Sequence, residues 1–185
     1  MEENTNTNIY EKELFMIQQP HSEIVKKYTF DFENETDFVK GIMCYKGLGI
    51  GVEQDYVKAK EFFEKSAKEY NSNAMFMLGH LYNEGDGVEI DECKSFEWYK
   101  RSADLGNMYA MNCVGYKYEY GEGVKTDIHK AVEWYEKSAL LGCNLGKENL
   151  EELYNKSVKY DLFEGYLKIK KENQELKKEN QELKK

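Results

Sequence analysis

The sequence predicts an all-α protein built as an array of stacked helix pairs, and three observations carry that expectation. The segment Gly85-Asp86-Gly87-Val88 recurs as Gly121-Glu122-Gly123-Val124 and, earlier, as Gly49-Ile50-Gly51-Val52. The valines fall at 52, 88 and 124, two successive steps of 36 residues. One proline, Pro20, stands in 185 residues, so almost nothing interrupts a helix. Hydrophobic residues are 41% and aromatics 14%, enough for a core and too many for wholesale disorder.

Taken in chain order, residues 1–35 precede the array. Residues 1–8 are polar and are expected to be disordered. Ile9, Leu14, Phe15, Ile17, Ile24, Val25, Tyr28 and Phe30 surround Pro20, and this stretch either caps the first unit or binds a partner. Three units follow, over 36–71, 72–107 and 108–143. The second and third share Ala74/Ala110, Gly79/Gly115, Tyr82/Tyr118, Asp91/Asp127, Lys94/Lys130, Trp98/Trp134, Tyr99/Tyr135, Ser102/Ser138 and Gly106/Gly142. The first keeps Asp55, Lys58, Glu61, Ser66 and Ala67, with Phe62-Phe63 in place of Trp-Tyr.

Each unit reads as two helices and two turns. The first helix of the second unit is expected over roughly Ala74 to Tyr82, with Ala74, Met75, Leu78 and Tyr82 on one face. Gly85 and Gly87 stop it, and Val88 plugs the turn from below. Asp91 is a natural N-cap for the second helix, since its carboxylate can accept the orphan amides of the first turn. Phe96, Trp98, Tyr99, Ala103 and Leu105 follow, and Gly106 ends that helix. Gly79 and Ala103 are small where helices must approach closely. The recurrence of Phe62, Trp98 and Trp134 at one repeat position marks core packing. One pair cannot bury so much aromatic surface alone, so neighbours must stack.

The first unit departs from the others. Between Gly41 and Val52 it holds two more residues than separate Gly79 from Val88, so its turn is expected to bulge. After Gly142, Leu150 and Tyr154 keep first-helix spacing, but Glu151 stands where the packing glycine should be. Residues 144–163 therefore read as a half-repeat that caps the array.

Residues 164–185 contain the heptad Lys170-Lys171-Glu172-Asn173-Gln174-Glu175-Leu176, repeated identically over 177–183. Ile169, Leu176 and Leu183 fall at d, with Asn173 and Asn180 at a, the pattern of a short parallel homodimer seam. Only about two and a half heptads exist, fewer than a stable coiled coil ordinarily needs, so a solvated helical tail is the competing reading.

The run Ala74-x3-Leu78-Gly79-x2-Tyr82-x2-Gly85-x-Gly87-Val88-x2-Asp91-x2-Lys94-x2-Glu97-Trp98-Tyr99-x2-Ser102-Ala103-x2-Gly106 resembles the Sel1-like repeat, a relative of the tetratricopeptide repeat. The resemblance covers about residues 36–155. It implies a right-handed α/α solenoid serving as a non-enzymatic scaffold or adaptor for a partner protein or peptide. By analogy with tetratricopeptide grooves, the concave face is assigned to Phe76, His80 and Asn83 in the second unit and to Asn112, Tyr116 and Glu119 in the third. Ile42 and Tyr45 extend the row.

Other function classes are weakly supported. A net charge of −9 disfavours nucleic acid as a main partner. Apolar runs such as Leu14-Phe15-Met16-Ile17 are too short to span a bilayer, and Met1-Glu2-Glu3-Asn4 opens no signal peptide, so a cytoplasmic location without membrane partners is expected. Cys44, Cys93, Cys113 and Cys143 form no C-x-x-C, and His21, His80 and His129 lack a nucleophile partner; no metal, cofactor or catalytic residue is assigned. The family also has a secreted, cysteine-rich branch associated with β-lactam binding and hydrolysis, which is the alternative function. Its paired cysteines would fall where this chain has Ala103, Ala139, Met75 and Met111, which disfavours it.

Overall fold

The computed structural model describes residues 35–49, 51–157 and 170. Among the described residues the regular structure is helical throughout: α1 (Asp37–Lys46), α2 (Tyr56–Lys68), α3 (Ser72–Glu84), α4 (Glu92–Asp104), α5 (Met108–Tyr120), α6 (Ile128–Leu140) and α7 (Asn144–Ser157). They form three pairs, α1/α2, α3/α4 and α5/α6, with α7 packed on the last. The segment 1–34 and the heptad seam of Ile169, Asn173, Leu176, Asn180 and Leu183 lie outside the described residues. Lys170 is described, and its ammonium pairs with Glu136 on α6.

Local chemistry explains where each helix begins and ends. Asp55, Asp91 and Asp127 cap α2, α4 and α6, their carboxylates accepting from the amides of Lys58, Lys94 and Lys130 at 2.9, 2.9 and 3.1 Å. Those amide bonds hold all three carboxyls below the ordinary aspartate range, with the Lys58, Lys94 and Lys130 ammonium groups adding to the effect. Asn71 and Asn107 cap α3 and α5 in the same way, so α3 begins two residues before Ala74. Cys143 occupies the equivalent place before α7. Gly47, Gly85 and Gly121 close α1, α3 and α5 in the left-handed conformation, which costs a residue without a β-carbon nothing. From Gly85 to Asp91 and from Gly121 to Asp127 is six residues; from Gly47 to Asp55 is eight. The first turn is thus two residues longer than the others, and Leu48 within it is wholly buried.

Within a pair, the helices meet through a glycine and a ring. A β-carbon on Gly79 would lie 2.6 Å from Tyr99, one on Gly115 2.6 Å from Tyr135, and one on Gly41 2.5 Å from Phe63. The rings therefore lie close against bare backbone, and Phe63, Tyr99 and Tyr135 are the aromatic centres of the core. The neighbouring position behaves differently from the sequence expectation. Trp134 is buried in the second cluster, but Phe62 and Trp98 are only half-buried at the margin of the first. Ser102 and Ser138 donate to the carbonyls of Ser72 and Met108, both at 2.7 Å, tying the second helix to the start of the first.

Three apolar clusters run along the array. The largest joins α1, α2 and α3, the second α4, α5 and α6, and the third α6 and α7. Phe76 packs on both the first and second, and Tyr118 on both the second and third, so each is a joint between clusters.

Candidate functional site

The first helices of the pairs bring the expected groove residues into register: Ile42, His80 and Tyr116 are equivalent, as are Tyr45, Asn83 and Glu119, and Phe76 and Asn112. Their fates differ. Ile42 has none of its surface exposed and lies in the first cluster with Phe38, Val39 and Met43, so it belongs to the core and leaves the row. Its helix is the first described one, and the site that holds polar His80 and Tyr116 further along is here filled with hydrocarbon. Phe76 is half-buried at its joint, its ring centroid 5.6 Å from Tyr99 and 6.4 Å from Tyr109. Asn112 accepts from the Asn149 amide of α7 at 2.9 Å.

Tyr45, Asn83 and Glu119 share one task, reaching across to the next repeat. The Tyr45 hydroxyl donates to Asp86 at 2.8 Å, and burial together with this bond pushes the phenol's pKa up. The shorter Asn83 accepts from Lys117, whose ammonium also pairs with Glu122 at 2.7 Å. Glu119 accepts from the buried Tyr135 hydroxyl at 2.9 Å and pairs with Lys156 of α7 at 3.4 Å. These side chains are latches between repeats. Sequence reasoning missed Lys117, which is 3% exposed at a position where the other units carry Met43 and Leu81. The charged residue in an apolar column was the available signal.

The accessible part of the face is aromatic. Tyr116 and Tyr120, one turn apart on α5, are 42% and 50% exposed, with ring centroids 4.4 Å apart. Lys156 lies over the Tyr120 ring, bonds its hydroxyl at 3.2 Å and pairs with Glu152 at 2.8 Å. His80 is half-buried, 6.1 Å from the Tyr45 ring. The arrangement offers flat apolar surface with charged groups at its margin. The Cys113 thiol, pushed to about 12 by burial, stays protonated at neutral pH. All four cysteines are free thiols. Among the described residues there is no cluster of three or more potential metal ligands, and no helix is long and apolar enough to cross a membrane.

A family model described as the Sel1 repeat matches residues 41–71, 72–107 and 109–143, more than half of the chain. The chain belongs to the Sel1 repeat family. Solved structures agree with that assignment. The protective antigen c5321 of uropathogenic Escherichia coli, which displays an SLR fold, is 32% identical with a TM-score of 0.62 over 65% of this chain and 26% of its own. A Sel1 repeat protein from Oxalobacter formigenes is 31% identical with a TM-score of 0.59 over 64% of this chain and 47% of its own. This chain thus spans about a quarter of the first and about half of the second. Helicobacter pylori cysteine-rich protein B, at 22% identity and a TM-score of 0.54, shares the fold over 64% of this chain and 89% of its own. Comparison with curated proteins finds no match. The glycine-ring contact, the aspartate cap and the left-handed glycine recur in each of the three repeats.

Proposed function

We propose that this Sel1 repeat protein is a non-enzymatic scaffold that binds a partner protein or peptide on the face formed by α3, α5 and α7. The observation that carries the reading is the exposed Tyr116–Tyr120 pair with Lys156 and Glu152 beside it. Rigid aromatic surface bordered by charge is the composition of interface hot spots, since two-torsion side chains lose little entropy on binding. Tyr45, Asn83 and Glu119 support the face from beneath by fixing the spacing of adjacent repeats, while His80 and Tyr116 are its accessible members.

The test is capture from the source organism with identification by mass spectrometry, comparing the native chain with Tyr116→Ala/Tyr120→Ala. A partner retained by the native chain and lost by the variant, with unchanged circular dichroism, supports the reading. Equal retention by both removes the face from the function. Reproducible hydrolysis of a chromogenic β-lactam, abolished by a substitution on this face, would replace the scaffold reading with an enzymatic one.

A further inference from the structure

The internal repeat provides a template for a second binding surface, on the side of the array formed by the second helices. In the third repeat, Trp134 carries two cations. Lys137, three residues on, lies 4.1 Å from its ring centroid, and Lys100 of the preceding repeat lies 4.9 Å away. In the second repeat the equivalent Trp98 carries its own Arg101 at 4.9 Å. The residue equivalent to Lys100 is Glu64, which pairs with Lys60 on its own helix instead. Trp134 is 9% exposed, whereas Trp98 is half-buried and lines an open cleft of about 730 Å³ between α2 and α4. Thus the chain covers Trp134 with a lysine from the preceding repeat, and places an acid at the corresponding point beside Trp98.

The rim of this cleft carries a second departure from the repeat. Where the other units have Gly106 and Gly142 at φ +92° and +90°, the first has Tyr70 at φ +61°. A tyrosine in the left-handed region is strained, and this one is 77% exposed. Ala67, Met75 and Leu105 complete an apolar wall, with Leu105 46% exposed.

We propose that this cleft receives a lysine or arginine side chain of a partner polypeptide, laid against Trp98 as Lys100 is laid against Trp134. Its alkyl stem packs on the Trp98 and Tyr70 rings, and its charge meets Glu64. The net charge of −9 draws a basic segment towards the chain as a whole. Arg101 and Lys68 also border the cleft, so an acidic segment is the competing occupant and forms one arm of the test. This surface is separate from the α3/α5/α7 face and stands or falls independently of it.

The experiment uses the full chain and two short Gly/Ser peptides, one carrying Lys-Leu-Lys and the other Glu-Leu-Glu. Two tryptophans give two indole resonances, assigned with Trp98→Phe. The lysine peptide should shift the Trp98 resonance, leave that of Trp134 in place, and bind roughly three-fold or more tighter than the glutamate peptide. Glu64→Lys restores the third-repeat arrangement from within. That variant should shift the Trp98 resonance unaided and weaken the lysine peptide by a similar factor. Tyr70→Gly should weaken it too while the fold is retained. Equal or tighter binding of the glutamate peptide, no Trp98 shift with either peptide, or full affinity in Glu64→Lys would each overturn the proposal.

Discussion

The seam between the first and second repeats and the seam between the second and third occupy the same place in the repeat and are held by different chemistry. In the first, Tyr45 reaches across to Asp86, and the space beneath is filled by Leu81, which is fully buried. In the second, Asn83 is too short to cross, and Lys117 stands where Leu81 stood, linking Asn83 to Glu122. Another polar contact, between the Asn107 amide and Asn73 at 2.9 Å, is buried in the same seam. The difference teaches that reach at one position decides polarity at another. A long side chain with its own hydroxyl meets the acid of the next repeat directly, whereas beside a short one a charged neighbour makes that contact.

The turn glycines separate the two seams most sharply. A β-carbon on Gly123 would lie 2.0 Å from the Glu92 carbonyl oxygen, while one on Gly87 would meet the Tyr56 β-carbon at 2.8 Å. Both have positive φ. Gly123→Ala should therefore cost roughly 3–5 kcal/mol and Gly87→Ala about 2 kcal/mol, measured by urea denaturation. Equal losses would show that the third turn can shift away from α4.

Next in size is the latch itself. Lys117→Ala should cost about 2–4 kcal/mol, because it leaves a cavity and removes the donor to the Asn83 carbonyl oxygen. Lys117→Met keeps the volume and releases Glu122 towards solvent, so it should lie within about 1 kcal/mol of the native chain. If both variants were equally damaged, the ammonium rather than the stem would be the stabilising part.

Much of this fold was legible in the sequence because its signals are local. The period of 36, the capping aspartates and the left-handed glycines are set by residues a few positions apart, and the helices follow from them. The groove was less legible. Ile42 and His80 occupy the same repeat position, and only the packing around α1 shows that Ile42 is core. The roles of Tyr45, Asn83 and Glu119 depend on how far each side chain extends into the next repeat, a distance that no spacing rule encodes. Tyr70 was invisible for a related reason: its left-handed φ is dictated by the path from α2 into α3, against its own preference.

Smaller effects sharpen the same contrast. Tyr70→Gly gives the first repeat the residue that the other two use, and should raise stability by about 0.5 kcal/mol, the relief of strain offset by glycine's entropy. A lower melting temperature would mean that the exposed ring packs more than it strains. The three cap aspartates, held below the ordinary value of 3.8, stabilise the fold above that pH. Their contribution is lost as pH falls through the depressed values. Asp91→Asn keeps a cap without a titrating group, so its melting temperature should fall less steeply below pH 4 than that of the native chain.

The most direct test transplants one seam onto the other. Leu81→Lys alone buries an ammonium in the first cluster beside an Asp86 already engaged by Tyr45, and should cost about 3 kcal/mol or more. Tyr45→Asn alone removes the hydrogen bond to Asp86. Combined, they recreate the Asn–Lys–acid latch of the second seam, with Asp86 in the place of Glu122. A double-mutant cycle by urea denaturation should give a favourable coupling of at least about 1 kcal/mol, the pair being more stable than the sum of its parts. Simple additivity would contradict the claim that the reach of one residue sets the polarity of the other.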